Sequence, residues 1–314
     1  MARDKITIQH RFELIGWNLV SGLLRLLSRR ATVHLADGAG WLFYHLFRVR
    51  RHLIDSQLAI AFPDESSDWR QRTGCRSWQN SILTFFEFLR PQSLAEAGGD
   101  DFADQEGFDE YARPLKTNPG NGLLVTGHLG NWEAMGRMAI RENVRIAAVA
   151  KPMHNPLIND VINSSRHKTG LELLMVKGNM KGIVDAAKQG KWVAFVGDQD
   201  ARRRGMFIDF FGRPASTAGG PAYFAYTLNL PLLPVYCVRR TDALRGVKLI
   251  VHPPIWPDLA ADREEEILRL TKAHTASLEQ IVRQHPEDYF WLHNRWKTRP
   301  KVRKGHDSRN QDKI

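Results

Sequence analysis

Short apolar segments alternate with amphipathic segments between residues 122 and 284, and this alternation constrains the fold more than any other feature. The apolar segments have the length and composition of buried strands, whereas the segments between them repeat apolar residues at helical spacing. Strands that alternate with helices predict an α/β fold with a mostly parallel central sheet flanked by helices. The predicted strands are Gly122–Thr126, Arg145–Ala150, Leu171–Val176, Trp192–Gly197, Leu232–Val238 and Val247–His252.

Helical periodicity is clearest in four segments, and one long polar segment lies between two of them. The stretch Pro91–Glu110 is rich in Gly and Asp and is predicted to be a loop region. The predicted helices lie within Trp69–Arg90, Leu157–Ile162, Met180–Ala187 and Asp262–Gln284.

The N-terminal region differs in character from the rest of the chain. Phe12–Leu27 and Ala31–Phe47 are rich in apolar residues, but charges interrupt them and arginines flank them. This pattern is typical of amphipathic helices that lie in, or dip into, an anionic membrane surface. The alternative is a helical hairpin packed on the main domain. We therefore predict membrane-associated helices over residues 1–60, a catalytic domain over 61–300 and a basic disordered tail over 301–314.

The chain carries a formal net charge of +11, with a pI of about 9.8. Such a charge favours an anionic partner, which includes nucleic acid, an anionic membrane face and an acidic protein. No aromatic stacking motif or recognition-helix pattern accompanies the basic residues, so we expect no nucleic-acid partner. A basic peripheral membrane or nucleic-acid binding protein without enzymatic activity remains the alternative from a different class.

The segment Gly127-His-Leu-Gly-Asn-Trp-Glu133 is the strongest local signal for chemistry. His128 directly follows a predicted strand, at the edge of the sheet where α/β proteins bind ligands. A turn at Gly130 would let Glu133 fold back and hydrogen-bond one nitrogen of the imidazole. The other nitrogen could then accept a proton from a hydroxyl as a general base. The spacing alone is weak evidence, because a histidine beside a helix start with an incidental glutamate is common.

Other chemistries find little support in the sequence. There is no Gly-x-Ser-x-Gly nucleophile elbow, phosphate-binding Gly-rich loop, His-Glu-x-x-His or Cys-x-x-Cys motif. We therefore expect no metal and no cofactor, and we expect the base to activate a hydroxyl of the substrate itself.

The same segment resembles the His-x4-Asp/Glu motif of glycerolipid-type acyltransferases, and more narrowly that of the late lipid A acyltransferases, the lauroyl and myristoyl transferases. Further segments resemble family blocks in the same order, and together the resemblance covers roughly residues 10–300. These segments are Lys151–Leu157, Arg166 before Gly170, Gly197–Asp200, Phe210–Thr217, Pro234–Arg239 and His285–Lys297.

The resemblance implies a fold like that of the glycerolipid acyltransferases and assigns roles to individual residues. His128 would be the base, Glu133 its orienting carboxylate and Arg166 a fixed cation near the acyl carbonyl or an acceptor phosphate. Asp198 would support the site, by holding Arg166 or the acceptor. The run of arginines at 202–204 departs from the family pattern; it suits a multiply charged acceptor, with a solvated basic loop as the alternative. The candidate substrate-binding residues are Asn131, Arg202, Arg203, Arg204 and Arg213.

The resemblance also implies the partners and the location. The donor would be the thioester of an acyl carrier protein, an acidic protein that suits the basic charge of this chain. The acceptor would be a hydroxyl of a lipid A precursor at the cytoplasmic face of the inner membrane. A lysophospholipid or a mannosylated lipid is the alternative acceptor, because the motif contacts only the hydroxyl and the carbonyl.

Overall fold

The computed structural model describes residues 6–89, 122–141, 143–168, 170–175, 180–241 and 244–300. The helices in these ranges are α1 (Ile8–Leu26), α2 (Arg29–Trp41), α3 (Arg51–Ala61), α4 (Ser67–Leu89), α5 (Trp132–Arg141), α6 (Pro156–Lys168), α7 (Met180–Lys188), α8 (Gly220–Leu228) and α9 (Arg263–Gln284). A π-helical turn (Leu42–Leu46) follows α2, and short 3-10 turns cover Arg202–Arg204 and Pro286–Asp288.

The strands form one central sheet and one hairpin. The six-stranded sheet has the order β3-β2-β4-β1-β7-β8, and only β8 runs antiparallel to its neighbour. β5 and β6 form a separate antiparallel pair. The strands are β1 (Leu123–Thr126), β2 (Ile146–Ala150), β3 (Glu172–Met175), β4 (Trp192–Val196), β5 (Met206–Phe210), β6 (Arg213–Thr217), β7 (Leu232–Arg239) and β8 (Val247–Val251).

This architecture confirms the predicted α/β fold with a mostly parallel sheet. All six predicted strands and all four predicted helices are present, with bounds that shift by a few residues. The hairpin β5–β6 was not predicted, because its alternation of exposed and buried residues is too short to stand out. The predicted loop Pro91–Glu110 and the predicted tail 301–314 lie outside the described residues.

Helices cover both faces of the sheet, as the continuous burial of its central strands requires. Successive residues of a strand point to opposite faces. Leu124 accordingly packs in the cluster that includes Met135 of α5, whereas Leu123 packs with Ile183 of α7 and Leu270 of α9. The two hydrophobic cores therefore hold the sheet rigid between two helical layers.

The N-terminal helices are part of the same folded body. Tyr44, Ile54 and Leu58 are fully buried and belong to one hydrophobic cluster with Tyr236 of β7 and Trp291 near the C-terminus. The boundary predicted at residue 60 therefore runs through a shared core. Among the described residues, no helix is both long and apolar enough to cross a bilayer.

Gly130 follows β1 in a turn that a side chain would disrupt, and this gives a first prediction. Its φ of +54° is left-handed, and a Cβ there would lie 1.9 Å from the carbonyl oxygen of Cys237. Gly130→Ala should therefore lower the free energy of unfolding by more than the roughly 1–2 kcal/mol that the backbone conformation alone costs. The change is measured by urea denaturation.

Gly212→Ala is the matched control for this substitution. Gly212 also has a positive φ, of +71°, but a Cβ there would meet nothing within 4 Å. It should lose only the backbone contribution of roughly 1–2 kcal/mol. Equal losses in the two variants would contradict the close approach at Cys237.

Candidate active site

The register of two adjacent parallel strands brings His128 and Asp198 together. Thr126, the last residue of β1, is paired with Val196, the last residue of β4. His128 and Asp198 each follow two residues later, so both leave the carboxyl edge of the sheet at the same level. This is the edge at which open α/β sheets bind ligands.

Asp198 binds His128 through both of its carboxylate oxygens. Oδ1 lies 2.7 Å from the imidazole Nδ1, and Oδ2 accepts the backbone N–H of His128 at 2.9 Å. An ionised carboxylate only accepts hydrogen bonds, so Nδ1 carries the hydrogen and Nε2 presents a lone pair. The side chain of His128 is 22% exposed, whereas that of Asp198 is 3% exposed. The proton-accepting nitrogen is therefore held in one orientation by a buried anion.

Asp198 stays ionised although it is buried. Burial acts to raise the pKa of this carboxyl, but the charge of His128 and its two hydrogen bonds, together with the charge of Arg295, hold the pKa below its usual range. These contributions are the ones that typically keep a buried carboxylate charged. The histidine thus has a permanently anionic partner over the ordinary pH range.

The predicted partnership between Glu133 and His128 is not what the structure shows. Glu133 is bound by Arg166, whose Nε lies 3.2 Å from Oε2 and whose Nη2 donates to Oε1. The reason is the early start of α5, whose first residue is Trp132. Its indole, and not the carboxylate, lies against the imidazole, with ring centroids 4.7 Å apart. Asp198, to which the resemblance assigns the holding of Arg166 or the acceptor, orients His128 instead.

Arg166 is fixed near the dyad by two kinds of contact. Besides its ion pair with Glu133, its guanidinium lies 5.6 Å from the centroid of the Phe88 ring. Arg137, one turn after Glu133, adds a second arginine, and burial lowers its pKa while the charge of Glu133 opposes that shift. Sequence reasoning missed Arg137, although its spacing of four residues from Glu133 on one helix was a usable signal.

Two other residues around the imidazole were also missed. The ring of Phe290 lies 6.2 Å from that of His128, and the backbone N–H of Phe290 donates to the carbonyl of His128 at 3.0 Å. The side-chain nitrogen of Gln199 lies 3.5 Å from the imidazole Nε2. Both residues belong to segments that the resemblance had singled out, but neither carries a charge that marks it as functional.

Asn131 has a structural position, which corrects its assignment as a substrate-binding residue. It is 1% exposed, and its side chain donates to Glu87 at 2.7 Å and accepts the N–H of Ala134 at 3.0 Å. The second contact caps the start of α5. Because both ends of the amide are occupied inside the protein, Asn131 holds the turn after His128.

The four candidate arginines fall into two groups. Arg202, Arg203 and Arg204 form an exposed 3-10 turn shortly after Asp198, and their side chains have no ion-pair partner among the described residues. Arg213 starts β6 at the turn end of the hairpin, opposite Phe210. The five-residue strand places it about 13 Å from Thr217 at the other end. The turn with three of the arginines therefore follows Asp198 within a few residues, whereas Arg213 lies at the far end of the hairpin.

The arrangement is suited to proton transfer at a substrate hydroxyl. His128 offers a lone pair on a partly exposed nitrogen, and the Arg166–Glu133 pair supplies a fixed cation on the neighbouring helices. Within the part of the chain that the structure describes, no group of three His, Cys, Asp or Glu residues is arranged to hold a metal ion.

Known proteins resemble this chain over most of its length. An enzyme of Escherichia coli (strain K12) described as lipid A biosynthesis palmitoleoyltransferase is 26% identical over 255 residues, which cover 80% of each chain. The lipid A biosynthesis lauroyltransferase of the same strain is 26% identical over 273 residues, or 85% of each chain. A phosphatidylinositol mannoside acyltransferase of Mycobacterium tuberculosis (strain CDC 1551 / Oshkosh) is 24% identical over 178 residues, covering 55% of this chain and 54% of its own.

The family profile of bacterial lipid A biosynthesis acyltransferases matches residues 5–298 of the 314 in this chain. The match includes the whole sheet, both sides of the candidate site and the N-terminal helices. This chain therefore belongs to the bacterial lipid A biosynthesis acyltransferases and is an acyltransferase.

Proposed function

We propose that His128, oriented by Asp198, acts as the general base in direct transfer of a fatty acyl chain to a lipid hydroxyl. The hydroxyl oxygen attacks the thioester carbonyl carbon while its proton passes to Nε2 of His128. The new C–O ester bond forms as the C–S bond breaks. The proton on His128 then moves to the departing thiolate, which leaves as a thiol, and no acyl-enzyme is formed.

The observation that carries this proposal is the contact between Asp198 and Nδ1 of His128 at 2.7 Å. A base needs a fixed tautomer with the lone pair on its second nitrogen, and this contact provides it. We propose that Arg166, held by Glu133, stabilises the negative charge that develops on the carbonyl oxygen, or binds a phosphate of the acceptor.

We propose an acyl carrier protein thioester as the donor and a lipid A precursor as the acceptor. The acceptor follows from the family and from relatives whose names specify lipid A biosynthesis. The net charge of +11 supports an acidic donor protein. The similarity to a phosphatidylinositol mannoside acyltransferase supports a mannosylated lipid as the second candidate acceptor.

The test of the proposed function is transfer by the purified protein from an acyl carrier protein thioester. Lipid A precursor, phosphatidylinositol mannoside and lysophospholipid are offered separately, and products are identified by mass spectrometry. His128→Ala should lose about 100- to 10,000-fold of kcat with the preferred acceptor. Asp198→Asn should lose on the order of 1,000- to 10,000-fold, because the amide favours the wrong tautomer.

Asp200→Asn is the matched control in the same segment. The carboxylate of Asp200 is bound by Thr298, with the hydroxyl at 2.9 Å, and it makes no contact with the imidazole. This variant should keep kcat within a few-fold of the wild type. Wild-type rates in His128→Ala would refute the proposed base. A preference for a phospholipid acceptor would refute the lipid A precursor as the proposed acceptor.

The arginines of the 3-10 turn support an acceptor that carries phosphate. Arg202, Arg203 and Arg204 are all exposed, and their positions follow directly from the segment that ends at Asp198 and Asp200. Three exposed guanidinium groups in one turn suit a multiply charged headgroup, since arginine binds phosphate in a bidentate manner.

Replacing all three arginines with glutamine should therefore raise KM for a phosphorylated acceptor about 10-fold or more, with a smaller effect on kcat. The dependence of kcat/KM on salt should weaken in parallel. The control replaces three exposed cations away from the turn, namely Arg145, Lys188 and Lys272. If both triple variants respond alike, the effect is one of net charge and the turn has no special role.

An exposed apolar face on the N-terminal helices supports binding to a membrane surface. On α1, Phe12, Leu19 and Leu23 are 69%, 64% and 64% exposed, and their spacing puts them on one face of the helix. The π-helical turn after α2 adds the exposed Leu46 to the apolar surface. Arginines flank α1 and α2. We propose that this face lies in the anionic cytoplasmic surface of the inner membrane, where the acceptor is embedded.

The variant with Phe12, Leu19 and Leu23 all changed to serine should bind anionic phospholipid vesicles at least about 100-fold more weakly. Binding is measured by co-sedimentation. The control changes Met180, Trp256 and Leu259 to serine, since these side chains are also about half exposed, at 55%, 53% and 50%. Equal loss in the two variants would argue against a dedicated membrane face.

A further inference from the structure

Arg295 is the most buried cation near the proposed base, and the proposed mechanism assigns no role to its charge. The side chain is 1% exposed and lies over the ring of Phe210, with 5.3 Å from the guanidinium carbon to the ring centroid. It donates to the carbonyl of Ser216 at 2.7 Å and to the hydroxyl of Thr217 at 2.6 Å. Both acceptors are neutral, so these contacts leave its charge uncompensated.

The missing counter-charge lies across a small cavity. Arg295 and Asp198 line the same enclosed space, which is no larger than about one water molecule. Nε of Arg295 and Nε2 of His274, which lines the cavity as well, have no hydrogen-bond partner among the described residues. A buried cation and a buried anion on the walls of one cavity stabilise each other more than they would in water.

The other titratable groups that face Asp198 are neutral. Burial raises the pKa of Tyr236 on β7 and of Tyr289 after α9, so both remain protonated. Burial and, second, the charge of Arg295 lower the pKa of His274 on α9 to about 4, and burial lowers that of His293. Arg295 is therefore the cation that shares the buried cavity with Asp198.

We propose that Arg295 is a positioning residue of the acyl transfer, whose charge across the shared cavity favours the ionised carboxylate of Asp198 that orients His128. The inference rests on the proposed function of His128 as the base. The site then has three coupled members: a buried cation, a buried anion and the partly exposed imidazole.

The sign of the effect follows from the charges. Each proton lost by the Asp198–His128 pair makes the pair more negative, and a nearby cation favours the more negative state. Removing the cation therefore moves both titrations of the pair to higher pH. The acidic limb of kcat/KM should shift upward in a neutral variant by about one pH unit.

The experiment compares Arg295→Met, Arg295→Lys and Thr217→Val in the full chain, with kcat/KM measured from pH 5.5 to about 9. Arg295→Met should show the upward shift of the acidic limb. Arg295→Lys keeps the charge, and Thr217→Val keeps the arginine but removes one of its hydrogen bonds, so both should retain the wild-type limb. The proposal would be overturned if the acidic limb of kcat/KM kept its position in Arg295→Met while kcat/KM fell equally at every pH.

A second readout does not depend on turnover. The Nδ1–H proton of His128, bonded to Asp198, can be followed by NMR as a function of pH in the folded protein. Its transition should move upward in Arg295→Met and stay in place in Arg295→Lys. A wild type that shows this signal but no base function would defeat the proposed function alone, whereas an unmoved transition would defeat the role of Arg295.

If Arg295→Met does not fold, the double variant Arg295→Met with Asp198→Asn distinguishes a counter-charge role of Arg295 from a purely structural one. An arginine that serves as the counter-charge of Asp198 predicts that removing both charges restores a cooperative unfolding transition, because an unpaired buried anion is then absent. An arginine needed only for its contacts with Ser216 and Thr217 predicts no restoration. That second result would overturn the proposal.

Discussion

The parallel pairing of β1 with β4 is the constraint on which the rest of the site depends. Thr126 opposite Val196 fixes where each chain leaves the sheet, and the two functional side chains follow at matched positions. A shift of one residue would turn His128 or Asp198 toward the opposite face, since strand side chains alternate. The register is secured by the burial of β1 and of residues 192–195 of β4 between helical layers. Hydrophobic packing away from the site therefore supports the 2.7 Å contact within it.

The turn after His128 is held by a second, ionic constraint. Glu87 of α4 forms a buried bidentate pair with Arg239 of β7, and Arg29 adds a further ion pair at 2.6 Å. Burial acts to raise the pKa of Glu87, but the charges of Arg239 and Arg29 keep it below its usual range. Asn131 completes this group, so the turn is joined to a charge cluster that spans three elements.

Such a cluster adds little net stability, but it strongly restricts the arrangement of the elements that carry it. Desolvation of two buried charges offsets much of their attraction, whereas removing one partner leaves an unpaired charge at a cost of about 3–5 kcal/mol. The consequence is that α4, β7 and the turn after β1 have one low-energy arrangement. Through Arg29, the start of α2 is joined to that arrangement as well.

The features of this fold that the sequence predicts are those whose signal lies within one segment of the chain. Strands and helices depend on periodicity within a segment, and these predictions were confirmed. The partner of His128 depends on which strands are neighbours, which periodicity does not reveal. Glu133 was chosen because it is close in sequence, whereas Asp198 lies 70 residues away and reaches His128 only because β4 inserts between β1 and β2. Asn131 misled for a related reason, since the polar side chain that suggested binding is used inside the protein.

The two acidic residues of the site therefore have separate tasks. Asp198 is the more deeply buried and holds a base, which must be fixed in tautomer and direction. Glu133 is less buried and holds Arg166, which must keep its charge available to a developing oxyanion or a phosphate. If one carboxylate served both groups, protonation of His128 during turnover would weaken its hold on the arginine at the moment when the negative charge develops. Separate carboxylates let the imidazole change its charge while the guanidinium stays in place, and this division explains why the His-x4-Glu spacing matters although the two side chains do not pair with each other.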